Sequence, residues 1–419
     1  MATIVQKFGG TSVGDAERIK RVAERVAATA RKGHRVCVVV SAMGKSTDEL
    51  IALANQVSSR PHPRELDMLL TAGERISMAL LSMAIDELGQ EAISFTGSQA
   101  GILTDTAHGR ARIVEVRGRR VSETLAAGKI AIVAGFQGVS ATADVTTLGR
   151  GGSDTTAVAL AAYLGADSCE ICTDVDGVYT ADPRIEPTAR KLDELAYEEM
   201  LELSSCGARV LMVRSVEYAR NHDVPIHVRS SFADTPGTWV RKESDLMEKA
   251  IISGIAHDTS EAKVTISSVP DQPGIAARLF RTLADAGVNI DLIVQNIAAG
   301  GQTDISFTVP RSDLDRTEEL LSPIAEEIGA AGVLTDRNVG KVSLIGAGMR
   351  SHPGVAARTF EALAEAGINI EIISTSSIRI SCVVKADDVE RAVQVIHEAF
   401  RLSDQVVYEE ESPSAAAAE

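Results

Sequence analysis

The chain has 419 residues, too many for one ordinary core, so two or three domains are expected. Hydrophobic residues make up 45% and aromatics only 3%, so Leu, Val, Ile and Ala must build the cores. A formal net charge of -16 without any basic run argues against nucleic-acid and anionic-membrane binding; a small anionic substrate needs a local positive site.

No apolar stretch nears the ~20 residues that span a bilayer. The first residues, Thr3-Ile4-Val5-Gln6-Lys7, read as a strand rather than a secretory signal. Five cysteines in so long a chain make no disulfide framework, and the cytoplasm is the expected compartment. A strand is expected over 4–8, then a helix over 15–31 with Ile19, Val22 and Val26 on one face. A buried-type strand follows over 35–40. Helices fit 48–57 and 65–88, and further strands fit 92–95, 130–133, 168–173 and 226–228. This alternation predicts an α/β domain with a mainly parallel sheet covered on both faces.

Near 230–249 the pattern changes, with a turn at Asp234-Thr235-Pro236-Gly237 and a charged stretch. The expected domains are 1–245, a linker and strand over 246–262, two modules over 263–337 and 338–410, and a disordered tail over 411–419. The modules rest on an internal repeat. PGIAARLFRTLADAGVNIDLIVQN starts at Pro273 and PGVAARTFEALAEAGINIEIISTS starts at Pro353, with 13 of 24 positions identical. Each copy reads as strand, Pro-Gly turn, helix, Gly, Asn-Ile, strand. Two copies are too few for a solenoid and suit a pair of small modules side by side.

Two glycine-rich turns could carry chemistry. Lys7-Phe8-Gly9-Gly10-Thr11-Ser12 lies where the first strand ends and a helix approaches. Leu148-Gly149-Arg150-Gly151-Gly152-Ser153-Asp154-Thr155-Thr156 precedes a helix over 157–164. Glycines admit an anion close to backbone N–H groups, and a helix N-terminus adds positive potential. Either turn alone is also compatible with a plain tight turn and helix cap; both at strand-to-helix junctions favour a phosphate site. Met43-Gly44-Lys45-Ser46-Thr47 imitates the end of a P-loop, but Val39 stands where the motif needs Gly. Gly346-Ala347-Gly348 lacks the third glycine of a dinucleotide fingerprint. Cys169 and Cys172 form a CxxC whose members point to opposite faces of a strand, which favours a core role over zinc. The eight histidines show no metal-ligand spacing, and no resident metal site is expected. His108 sits in a Gly-containing loop and reads as an exposed loop histidine.

Four segments resemble the aspartate kinase family: KFGGTSV (Lys7–Val13), TAGERI (Thr71–Ile76), TTLGRGGSDTT (Thr146–Thr156) and TDVDGVYTADPR (Thr173–Arg184). SFTGSQAG (Ser94–Gly101) and the two repeats agree, the repeats being similar to ACT modules, and the likeness runs over about residues 2–410. It is nearest to the actinobacterial form inhibited by lysine and threonine. The resemblance implies a three-layer α/β/α amino-acid kinase domain followed by two ferredoxin-like βαββαβ ACT modules. It implies ATP contacts at Lys7, Phe8, Gly9, Gly10, Thr173, Asp174, Tyr179, Arg184 and Arg209, with Mg²⁺ carried on ATP. Many relatives have Lys where Gly207-Ala208 leads to Arg209, so that contact keeps its charge but not its shape. For aspartate it implies Ser41, Thr47, Glu74, Arg150, Gly151, Gly152 and Ser153. Arg150 would pair with a carboxylate and Glu74 with the ammonium. Lys7, Arg150 and Asp154 are the expected catalytic set.

The side-chain carboxylate of aspartate, with a pKa near ~4, is already ionised and needs no general base. Repulsion between two anions is the obstacle, so cations and in-line positioning carry the reaction. In the repeats, the resemblance implies effector contacts at Gly274, Ala276, Gln295, Asn369 and Ile370 for threonine, with Asp271 and Asn289 as candidates for lysine. It also implies a homodimer, or an α2β2 assembly with a regulatory subunit started internally near Met247. Two other readings stay open: a glutamate or acetylglutamate kinase of the same fold, and an amino-acid sensor with an inactive kinase half.

Overall fold

The computed structural model describes residues 1–243, 251–297, 301–350 and 352–404. The expectations for Met247 and for the tail fall outside the described residues. The chain forms two compact units. The first contains Met1–Val178, Lys191–Ser204 and the stretch from Arg209; the second contains Tyr179–Arg190, Ser205–Ala208 and the C-terminal part.

The first unit runs β1 (Thr3–Phe8), α1 (Ala16–Arg31), β2 (Arg35–Val40), α2 (Ser46–Val57), α3 (Pro63–Leu70), α4 (Ala72–Glu87), β3 (Ala92–Phe95), β4 (Ile102–Thr104), β5 (Ile113–Val116) and α5 (Arg119–Ala126). It continues with β6 (Ile130–Ala134), β7 (Gln137–Ser140), β8 (Val145–Thr147), α6 (Gly152–Leu164), β9 (Ser168–Thr173), β10 (Glu194–Ala196), α7 (Tyr197–Ser205), α8 (Val213–Asn221), β11 (Ile226–Ser230) and β12 (Thr238–Arg241). The main sheet has the order β10-β12-β11-β9-β1-β2-β6-β3 and is parallel except between β11 and β12. From β1 the chain goes to β2 on one side, while β9 returns on the other. The crevice beyond the carboxyl end of β1 is therefore a topological switch point, the usual place for a ligand in an open α/β sheet.

The layers follow from the side-chain pattern. Val36, Val38 and Val40 of β2 face a core built from Ile19, Val22 and Val26 of α1 and Met78, Leu81 and Ile85 of α4. Asp15 starts α1 by accepting from the Arg18 N–H at 2.8 Å. Alternate residues Cys37 and Val39 are equally buried on the other face, where α6 packs. Helix α6 is buried from Gly152 to Ala161, and its small residues allow that close approach. The single helix expected over 65–88 is two helices divided at Thr71, whose carbonyl accepts from Gln137 Nε2 at 3.3 Å. By length and composition the run Pro63–Glu87 is apolar enough to cross a membrane, but Leu70, Leu81 and Ile85 are buried in the unit. A small sheet ordered β5-β4-β7-β8 carries the chain into the second glycine turn.

The second unit holds β13 (Gly254–Asp258), β14 (Glu261–Pro270), α9 (Ile275–Asp285), β15 (Ile293–Ile297), β16 (Gln302–Pro310), α10 (Leu314–Glu327), β17 (Gly332–Asp336), β18 (Val339–Ile345), α11 (Val355–Glu365), β19 (Ile372–Thr375), β20 (Arg379–Lys385) and α12 (Val389–Ala399). Two four-stranded sheets result, β15-β16-β14-β17 and β13-β18-β20-β19. Each repeat opens its helix on a glycine with left-handed backbone, Gly274 at φ 98 and Gly354 at φ 102. Residues 281–290 and 361–370 carry the same burial pattern position by position, so the repeat is structural as well as textual. The second module differs in one respect: β13, which precedes the first module in sequence, fills the sheet position beside β18.

Candidate active site

The two glycine turns meet. Lys7, next to last in β1, puts Nζ 2.5 Å from Oδ1 of Asp154 in the first turn of α6. Both side chains are nearly buried, at 12% and 9% exposure, where an ion pair is less weakened by solvent than at the surface. Beyond β1, Gly9 and Gly10 lie against the turn that follows β2. Gly44 N–H donates to the Gly10 carbonyl at 3.0 Å, and Ser41 N–H to the Phe8 carbonyl at 3.1 Å. A Cβ on Gly10 would sit 2.9 Å from the Ala42 oxygen, so only glycine fits there.

Ala42 in turn carries Glu74. The Ala42 N–H donates to Glu74 Oε1 at 3.2 Å, and Gly73 brings α4 so close that a Cβ there would be 2.7 Å from Ala42 Cβ. Glu74 is 3% exposed, and its Oε2 has no partner among the described residues. Burial pushes its carboxyl up to about 7. A buried carboxylate with an unsatisfied oxygen is a costly arrangement unless a cationic ligand completes it.

On the other side, Ser153 is buried at the start of α6 and packs on the end of β6, where a Cβ on Gly135 would be 2.7 Å from Ser153 Oγ. Gly149 and Gly151 both take positive φ, at 79 and 71. Arg150 between them is exposed and forms no ion pair among the described residues. Thr47 is half-buried in α2.

The expected nucleotide residues divide between the units. Gly9 N–H reaches the Cys172 carbonyl at 3.4 Å, and Ser231 N–H the Thr173 carbonyl at 2.7 Å, so the ends of β1, β9 and β11 share one rim. Thr173 Oγ1 donates to Asp174 at 3.1 Å, and Arg209 is exposed. Tyr179 and Arg184 belong to the second unit, where Arg184 is held in a bidentate pair with Asp182. The hydroxyls of Ser12, in the first glycine turn, and Ser231 lie 2.6 Å apart on this rim, and Ser231 was not signalled by the sequence. Cys169 and Cys172 are fully buried in β9, and burial pushes the Cys172 thiol up to about 12. His108 corrects an expectation: it is not a freely exposed loop histidine but pairs with buried Asp67 through Nδ1 at 2.7 Å.

The expected effector residues lie in the second unit. Asp271, Gly274, Asn289, Gln295 and Asn369 are exposed, while Ala276 and Ile370 are half-buried. The segments after α9 and α11 come together. Leu292 packs with Ile372, Val339 and Val383, and Lys263 pairs with Glu371 as Lys341 does with Asp291.

Residues 2–230 match the amino acid kinase family, and residues 264–329 and 342–400 each match an ACT domain. The chain is 60% identical over 416 residues to an aspartokinase of Mycolicibacterium smegmatis, covering 97% of this chain and 99% of that one. It is 58% identical over 416 residues to the Corynebacterium glutamicum aspartokinase, with 97% and 99% covered. Its fold resembles that of E. coli aspartokinase III in complex with aspartate and ADP, with TM-score 0.81, 27% identity, and 95% and 100% coverage. The T-state of the same enzyme with lysine and aspartate gives TM-score 0.71 at 28% identity, covering 94% of this chain and 99% of that one. A nearly buried Lys7–Asp154 pair that joins two glycine turns thus stands in a chain that belongs to the aspartokinases, enzymes of the amino acid kinase family that carry ACT domains.

Proposed function

We propose that the chain transfers the γ-phosphoryl group of MgATP to the side-chain carboxylate of L-aspartate, giving 4-phospho-L-aspartate. This product opens the route to lysine, threonine, methionine and diaminopimelate, and the expected compartment is the cytoplasm. The Lys7–Asp154 contact carries this reading, because it joins the two turns into one crevice. The acceptor is ionised at neutral pH, so no base is required. Lys7 offsets charge on the transferring phosphoryl group, and Asp154 holds the Lys7 ammonium until the nucleotide arrives. Arg150 grips a substrate carboxylate by its planar fork, with Ser41, Thr47, Gly151, Gly152 and Ser153 around it. Glu74 supplies the missing partner for the ammonium. Phe8, Gly9, Gly10, Thr173, Asp174, Tyr179, Arg184 and Arg209 form the nucleotide side, and Mg²⁺ arrives on the phosphates.

The ACT pair is read as the seat of feedback by threonine and lysine. Threonine would meet Gly274, Ala276, Gln295, Asn369 and Ile370; lysine would meet Asp271 and Asn289. A contact within the second unit supports a route for this control. The segment Tyr179–Arg190 is fastened to the second ACT module by Ile255 N–H to the Thr180 carbonyl at 2.7 Å and by Thr180 Oγ1 to His397 Nε2 at 2.9 Å. An effector that shifts that module pulls on two nucleotide residues, for a coupling of about 1–3 kcal/mol. The assembly is read as a homodimer, or as α2β2 with a second product begun at Met247.

The deciding assay is ATP-dependent hydroxamate formation with aspartate, glutamate or acetylglutamate, repeated with threonine and lysine singly and together. Turnover confined to aspartate supports the proposal. A preference for another acceptor, or no turnover at all, rejects it.

A further inference from the structure

The loop of residues 105–112 lies against the second glycine turn, and three side chains bind the two together. The Asp67 side chain, on α3, is only 1% exposed. Every contact to its carboxylate is a donor: Thr147 Oγ1 at 2.5 Å, the Gly109 N–H at 3.1 and 3.2 Å to the two oxygens, and His108 Nδ1 at 2.7 Å. A buried carboxylate is tolerated when it is satisfied in this way. Thr147 ends β8, three positions before Arg150, and its carbonyl accepts from Ala111 N–H at 2.9 Å. Arg214 of α8 adds a second clamp: Nη1 donates to the Leu148 carbonyl at 2.9 Å and Nη2 to the Ala111 carbonyl at 2.7 Å. The loop also touches the turn itself, since a Cβ on Gly149 would lie 3.1 Å from the Gly109 oxygen.

The turn is closed by the Gly152 N–H donating to the Gly149 carbonyl at 3.0 Å and leads into buried α6. Two glycines at positive φ flank Arg150, and the Arg150 side chain forms no ion pair among the described residues. Its aim therefore follows from α6 on one side and from what anchors the backbone on the β8 side. We infer that Asp67, acting through Thr147 and assisted by Arg214, is a positioning residue that sets the direction of Arg150 and so governs aspartate recognition. None of the three needs to touch substrate. The inference deepens the functional proposal and rests on its reading of Arg150 as the carboxylate grip. Fork-to-fork pairing has a narrow angular tolerance, so a small drift of the turn weakens binding before it affects the phosphoryl step.

The test uses the full chain with Thr147→Val, Thr147→Ser and Asp67→Asn. Valine keeps the shape of Thr147 and loses the hydroxyl; serine keeps the hydroxyl. Thr147→Val and Asp67→Asn should raise the aspartate KM about ten-fold or more while kcat and the ATP KM stay within about three-fold, and Thr147→Ser should stay near wild type. An aspartate KM unchanged within about two-fold in both variants overturns the inference, as does an equal rise in Thr147→Ser. A fall in kcat alone also overturns it. Should Asp67→Asn fail to fold, the Thr147 pair decides. Hydrogen exchange at the Gly109 and Ala111 amides separates this inference from the functional proposal. If wild type transfers no phosphoryl group to aspartate, that proposal fails, and exchange alone judges the tether. Protection lost in Thr147→Val and kept in Thr147→Ser supports it; protection unchanged in both rejects it.

Discussion

Glu74 occupies a place that penalises it, and that penalty is measurable. Its carboxyl is raised from 4.5 to about 7 by burial. A carboxyl raised in the folded state contributes stability that is present below 4.5 and lost as pH rises through about 7. Glu74→Gln keeps an acceptor for Ala42 N–H and removes the charge. Without substrate it should therefore be more stable than wild type at alkaline pH by about 1–3 kcal/mol, as read by denaturant unfolding. The same variant should bind aspartate worse. In wild type the aspartate KM should rise as pH falls below about 7, and in Glu74→Gln it should be nearly flat. Lys7 makes the opposite kind of contribution. Lys7→Met removes a cation meant for the transition state, so kcat should fall by about 10²–10³ with aspartate KM little changed, as steady-state rates would reveal.

At the scale of elements, α12 is pinned by a hydrogen bond between Thr180 and His397. Thr180 Oγ1 accepts from the Arg190 N–H at 2.9 Å and also lies 2.9 Å from His397 Nε2. Burial lowers the His397 and His257 pKa values below 6.5. The stability they contribute is full above 6.5 and drains as pH falls through their folded values. Unfolding of the chain should show that acid loss, and His397→Leu should shrink it while costing about 1–3 kcal/mol near pH 8, because the Thr180 hydroxyl loses a hydrogen-bond partner. Much of the element pattern was legible in the sequence. Val-rich strands, the Ile19-Val22-Val26 face and the Lys-Phe-Gly-Gly-Thr turn are local signals. The small sheet was not, because β4 and β8 have three residues each and no periodicity survives at that length. At the break, the Thr71 carbonyl meets Gln137, a residue remote in sequence. The Asp67 contacts were illegible for the same reason: Thr147 and His108 reach it from distant parts of the chain, and no local pattern announces a buried carboxylate.

Across the second unit, the two ACT modules are cross-linked by a reciprocal exchange of charge. Lys263 of β14 pairs with Glu371, while Lys341 of β18 pairs with Asp291 and with Glu261 at 2.8 Å. The partners occupy equivalent places in the repeat, so each module lends a lysine to the other. Lys341 is 2% exposed, and although burial works against its ammonium, Glu261 and Asp291 hold its pKa above the usual value. Lys341→Met should leave those carboxylates uncompensated and cost about 3–5 kcal/mol, seen as an earlier thermal transition.

Because β13 lies upstream of the first module yet belongs to the sheet of the second, the regulatory half cannot be cut out at the point where its repeats begin. A fragment starting at Met247 retains that border strand and should be monodisperse in gel filtration. One starting at Ser260 exposes the bare flank of β18 and should associate into larger species, because an unpaired strand edge invites another chain to bind it.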